Sequence, residues 1–111
     1  MNGLERIAAE RKRQIEELGW TPEHDKEHVG GHLTRAAISY LLMNMAYDGK
    51  LSKEIYPWGT ENWEKAREGK DYLRTLEVAG ALIVAEIDRV LERKGLNKVV
   101  EEMPFPSGTK E

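Results

Sequence analysis

The chain has no cysteine among its 111 residues. That excludes disulfides, thiolate metal ligands and a cysteine nucleophile. Neither sign of charge dominates, with 17 Lys and Arg against 20 Asp and Glu for a net charge of −3. There is therefore no electrostatic footprint for nucleic acid or an anionic membrane. No apolar run approaches the roughly 18–20 residues of a membrane span. The opening stretch "MNGLERIAAERKRQIEELG" is charged throughout and offers no apolar signal-peptide core. No strand alternation, internal repeat, glycine-rich phosphate loop, nucleophile elbow or basic stripe with interleaved aromatics is visible. The expectation is a cytoplasmic protein with no nucleic-acid or membrane partner, no cofactor and no covalent catalysis.

What is present is helical periodicity. A chain of this length makes one domain with one modest core. Leu4, Ile7, Ala8, Ile15 and Leu18 follow the spacing of one buried stripe, with Asn2 as N-cap and Gly19 as left-handed C-cap. Arg11 falls on that stripe, either as a snorkelling side chain or as one turned to a ligand. Thr21-Pro22-Glu23 starts a short helical turn carrying His24 to His28, which Gly30-Gly31 interrupts. A second long helix runs from about His32 to Tyr47 and is apolar on nearly every side. Lys50 to Gly59 reads as a long loop around Pro57, and Thr60 caps a further short helix. The third long helix spans about Lys70 to Lys94, with Ala79, Gly80 and Ala81 in its apolar middle.

The prediction is an all-α bundle of three long helices plus one or two short ones over residues 1–95, with a partly mobile tail over 96–111. The two apolar helices carry more apolar circumference than one small monomer covers. That predicts a homo-oligomer, with Ala79 to Ala81 at a close helix crossing.

Candidate chemistry concentrates in "WTPEHDKEHVGGHL". His24 and His28 are four apart and share a helix face, as two imidazole ligands do in zinc helices. A third and fourth ligand are missing there, and so is the intervening glutamate that would act as general base. No metal is expected. Glu61-x-x-Glu64 and Glu68-x-x-Asp71 match the letters of the magnesium site in all-α nucleotide pyrophosphohydrolases. Only Lys65 to Arg67 separate them, too short a gap for a second antiparallel helix. Glu77, Asp88, Lys70 and Arg74 lie near one face of the third helix, either as a solvated stripe or in a polar cavity. Trp20, Trp58 and Trp63 sit at helix edges and loops. There they either plug the bundle ends or stack a planar ligand such as a nucleobase.

Taken together, "ERKRQIEELGWTPEHDKEH", "YPW" and "AGALIVAEIDRVL" resemble a family of small helical proteins of tailed phages and prophages. The resemblance covers residues about 5 to 91 and implies a phage accessory role rather than a reaction. Its polar and aromatic signature falls on Glu10, Arg11, Arg13, Gln14, Trp20, His24, Asp25, His28, Trp58 and Trp63. Val78 stands where the family often has a basic residue, and His32 where it has an acid or amide.

The resulting expectation is a binder of a nucleotide-derived molecule, a sponge that sequesters a host defence signal in the host cytoplasm. The alternatives are a divergent pyrophosphohydrolase-like enzyme and a module that blocks a host protein. Arg11, Arg13, Trp20, His24, Asp25 and His28 are expected to line one concave site under a loop bearing Trp58 and Trp63. The arginines would fork a phosphate, Asp25 and the histidines would fix ribose or base edges, and Trp58 would cover the base.

Overall fold

The structure, a computed structural model, describes residues 1–21, 31–45 and 49–94. Five helices and no strand occur among them: α1 Gly3–Leu18, α2 His32–Leu42, α3 Gly49–Ile55, α4 Thr60–Arg67 and α5 Tyr72–Lys94. None is long and apolar enough to cross a membrane. His24, Asp25, His28 and the tail over 96–111 lie outside the described residues, and the second helix, expected to run to about Tyr47, stops at Leu42 with Met43 as C-cap.

Local chemistry sets the helix ends. Asn2 and Glu5 form a capping box, each side chain bonded to the other's backbone N–H at 2.9 Å. Gly19, at φ 75, closes α1 in the left-handed conformation and returns its N–H to the Gln14 carbonyl. Asp71 Oδ1 accepts from the Arg74 backbone N–H at 2.9 Å, which starts α5.

α5 is the centre, with α2 on one side and α1 on another. Toward α2 the filling is apolar: Leu33, Ala36, Ala37 and Tyr40 meet Val78, Ala79, Leu82 and Ala85, all buried. As α1 advances from Arg6 to Glu10, its ion-pair partner on α5 retreats from Glu77 to Arg74. The two helices therefore run antiparallel. They come close at one point, where a Cβ on Gly80 would sit 2.6 Å from Ile7 Cδ1.

Four expectations need correction. The α1 face turned inward is not the apolar stripe. Leu4, Ala8 and Leu18 are exposed and Ile7 and Ile15 half-buried, while Glu10, Arg11 and Gln14 are buried. The reason is mutual satisfaction: these polar groups bond one another and α5, so burial leaves few of them without a partner. Lys50 to Ile55 is helix rather than loop. Ser39 Oγ donates to the Ser52 carbonyl at 2.8 Å and Ser52 Oγ to the Ser39 carbonyl at 2.7 Å, a reciprocal clasp that docks α3 on α2. Thr60 is the first residue of α4, and Gly59 holds the N-cap position. Ala79 and Ala81 are fully buried within one chain, so the close crossing of small residues is intramolecular. The exposed apolar surface of α5 lies elsewhere, at Leu73, Leu76, Ile83, Ile87 and Leu91.

Candidate functional site

Between the C-terminal half of α1, the α3–α4 connection and the start of α5 lies a cavity of ≈ 460 Å³. This falls inside the range of about 300–1,000 Å³ in which small-molecule sites are found. Its wall is a chain of four aromatic rings. Trp20 and Trp58 have centroids 6.4 Å apart at 45°, Trp58 and Tyr56 are 5.5 Å apart at 84°, and Tyr56 and Tyr40 are 6.3 Å apart at 72°. Arg13, Lys65 and Lys70 supply positive charge, and Glu10, Gln14, Asn62 and Val78 complete much of the lining.

Each ring is placed by a different device. Trp20 follows the α1 cap. Its backbone N–H donates to the Gln14 carbonyl at 3.0 Å, and its carbonyl accepts from Arg11 Nη1 at 3.0 Å. Trp58 lies between Pro57 and Gly59, and its carbonyl accepts from Asn62 Nδ2 at 2.8 Å in the first turn of α4. Tyr40 comes from the buried face of α2. Burial first, and the nearby Tyr56 hydroxyl second, raise Tyr40's pKa well above that of free tyrosine. Burial likewise raises Tyr56.

Beneath the rings Glu10 organises the polar floor. Both carboxylate oxygens accept from Arg13, at 2.9 and 3.0 Å, with further bonds from Gln14 Nε2 and Arg74 Nη2. Burial pushes this carboxyl up, but the hydrogen bonds from Arg13, Arg74 and Gln14 outweigh it and hold it below the ordinary 4.5. The bond to Glu10 also fixes the Gln14 carboxamide, because the reversed orientation would aim an acceptor at a carboxylate. Gln14 Oε1 is thus held as an acceptor, in a fully buried residue, with no hydrogen-bond partner among the described residues.

The structure therefore brings Arg13, Gln14, Trp20 and Trp58 to one cavity. It does not bring Arg11 or Trp63 there. Arg11 is buried behind Trp20 and neither snorkels nor lines the cavity. Trp63 belongs to the core. Its Nε1 donates to Ser52 Oγ at 2.9 Å, with Lys53 and Arg67 over its ring at 5.4 and 5.1 Å. Tyr40, Tyr56, Lys65 and Lys70 were not singled out as ligand residues from sequence. Tyr56 adjoins the tryptophan loop, which is a usable signal, whereas Tyr40 and Lys70 reach the cavity only through packing.

A larger hollow of ≈ 680 Å³ beside the α4–α5 connection is lined by Asn44, Glu64, Arg67 and Asp71 among others. It has no aromatic wall and no unpartnered buried atom, so the smaller aromatic cavity is the stronger candidate. Glu61 and Glu64 lie on α4, whereas Glu68 is its C-cap and Asp71 precedes α5. The paired-helix carboxylate arrangement of the pyrophosphohydrolases is thus not formed. Among the described residues, no group of three or more His, Asp or Glu could hold a metal ion. Arg74 and Glu77 form a polar seam against α1, Lys70 instead bonds the Ala66 carbonyl, and Asp88 is exposed.

No family model, curated protein or solved structure matches the chain. The functional reading therefore rests on the geometry of the cavity and on the sequence motifs.

Proposed function

We propose that the aromatic cavity binds a nucleotide-derived small molecule and that the chain acts by holding it. The observation that carries this reading is Gln14 Oε1, a buried acceptor without a partner among the described residues, in the lining of an aromatic cavity. Leaving such a group unsatisfied costs about 1–3 kcal/mol, which a ligand N–H would recover. Nucleobases offer both features together, a flat face for indole and phenol rings and ring-edge N–H donors. Because Gln14 has no exposed surface, reaching its oxygen requires the rings above it to part. Trp58, beside Gly59 at φ 93, is the side chain best placed to move.

Among the described residues, the buried carboxylates beside the cavity and its neighbouring groove, Glu10 and Glu77, are both taken up by arginines, which favours holding over hydrolysis. In the phage setting that the motifs resemble, this is a sponge for a host defence signal. We also infer a homo-oligomer. Leu73, Leu76, Ile83, Ile87 and Leu91 leave an apolar seam exposed along α5, on either side of the point where Ile7 covers Gly80. That seam is of the kind a second helix fills, and a second copy supplies the same seam.

The test is a panel of nucleosides and nucleotides read by calorimetry, followed by chromatography of the incubated ligand. Intact ligand recovered from a bound complex supports the sponge. Recovered product shifts the reading to an enzyme, and no binding across the panel removes the nucleotide reading altogether.

A further inference from the structure

The aromatic cavity does not end at its cations. Arg13 and Lys70 also line a neighbouring groove of ≈ 590 Å³, whose other walls include Arg6, Leu73, Arg74 and Glu77. The two spaces share these two side chains, so a ligand whose flat part fills the first meets positive charge where it leaves.

Carboxylates answer most of the cations in the groove. Glu10 receives Arg13 and Arg74, and Glu77 receives Arg6 and Arg74. Lys70 is different. Its ammonium donates to the neutral Ala66 carbonyl and lies 5.9 Å from the Tyr40 ring centroid. Among the described residues no carboxylate pairs with it. Asp71, its neighbour in sequence, has Oδ1 committed to the start of α5, and Glu68 on the groove wall is exposed. We propose that Lys70, with Arg13 and Arg74 beside it, takes a phosphate of the ligand, so that the occupant is a nucleotide and not a free base or nucleoside. This rests on the reading of the aromatic cavity given above.

Two further observations support the assignment. Burial, then the charges of Arg74 and Arg13, lower Lys70's pKa. A cation destabilised by desolvation and by like charges gains most when an anion arrives. The half-buried position also shields the contact from the screening that makes exposed pairs weak. Arg13 has its planar fork taken up by Glu10, so Lys70 is the point charge that meets the phosphate, with Arg13 and Arg74 held beside it.

The experiment uses inorganic pyrophosphate as the probe, titrated by calorimetry into the wild-type chain, K70Q and K70R, beside matched nucleosides and nucleoside diphosphates. Pyrophosphate should bind the wild type, lose about tenfold or more in affinity in K70Q, and keep most of it in K70R, since a charged hydrogen bond is worth about 1.5–3 kcal/mol. The Lys70 side-chain NMR signal of the wild type, assigned by its loss in K70R, should move on adding pyrophosphate. This readout stands even if K70Q fails to fold. No binding to the wild type, equal binding by K70Q, or an unmoved Lys70 signal each overturns the proposal. Nucleosides binding as tightly as their diphosphates also overturn it and leave the aromatic reading standing. Pyrophosphate bound through Lys70, with no nucleoside or nucleotide bound, supports the anion site and removes the aromatic reading instead.

Discussion

α5 is gripped by opposite chemistries on two sides. Its seam with α2 is closed by alanine, leucine and valine side chains with almost no exposed surface. Its seam with α1 is closed by Arg6, Glu10, Arg74 and Glu77, with one close apolar touch of Ile7 on Gly80. Apolar packing is non-directional and supplies most of a small domain's stability. A charged seam contributes less, because desolvation offsets much of the attraction, but every group in it must keep its place. The candidate site takes its rigid ring, Tyr40, from the first seam and its floor, Glu10 with Arg13 and Gln14, from the second.

That contrast can be broken deliberately. The largest expected effect is in the apolar seam: Leu82→Ala removes the largest fully buried side chain and should cost about 2–5 kcal/mol in chemical denaturation. Next is the touch point. Gly80→Leu drives bulk into Ile7 and should cost about 1–3 kcal/mol, of which Ile7→Ala should restore a measurable part in the double variant. An additive double variant would mean that the two helices do not meet there.

Glu10→Gln comes third. It should cost about 1–2 kcal/mol at neutral pH, because Arg13 and Arg74 are about a third exposed and solvent takes up part of the lost pairing. The same carboxylates set an acid limb. Burial opposes the charge on Glu10 and Glu77, but their arginine partners prevail and hold both below the ordinary 4.5. The stability they add is complete above that value and is lost as pH falls through the lowered ones. Urea midpoints between neutral pH and pH 3 should therefore fall, and fall less steeply in the Glu10→Gln variant.

The smallest effect on the chain itself is expected at Ile83→Glu. Ile83 is 46% exposed, so the monomer should change by no more than about 0.5 kcal/mol. Light scattering at tens of micromolar should nevertheless show the assembly shifting toward monomer. A wild type that is already monomeric there would sink the oligomer reading.

The two ends of α1 and the middle of α5 were the most legible parts of the sequence. Asn2 and Gly19 mark α1, and the buried middle of α5 follows from its run of apolar residues. The inward face of α1 was not legible. Periodicity counts apolar residues, whereas here three polar side chains occupy the buried face because α5 and the Trp20 carbonyl supply their partners. α3 was hidden because Asp48-Gly49 and Pro57 both read as breakers, and what holds its turns is a serine clasp across 13 residues. Within the site, Arg13, Gln14, Trp20 and Trp58 stood out by residue type. Lys70 was legible only as one of four charged residues on a face of the third helix, since its distinction, the absence of a carboxylate partner among the described residues, is revealed only by the assembled fold.

The two indoles at the cavity mouth have one more consequence. At 6.4 Å between centroids, Trp20 and Trp58 are close enough to share electronic excitation. Trp20 is fixed by its backbone and Trp58 sits on a short turn, so a change in their separation alters an optical coupling rather than only a local polarity. Trp63 lies under Lys53 and Arg67, bonded to Ser52, and makes a built-in reference. The chain thus carries its own spectroscopic ruler, with one dye pair at the cavity and a third chromophore in the core.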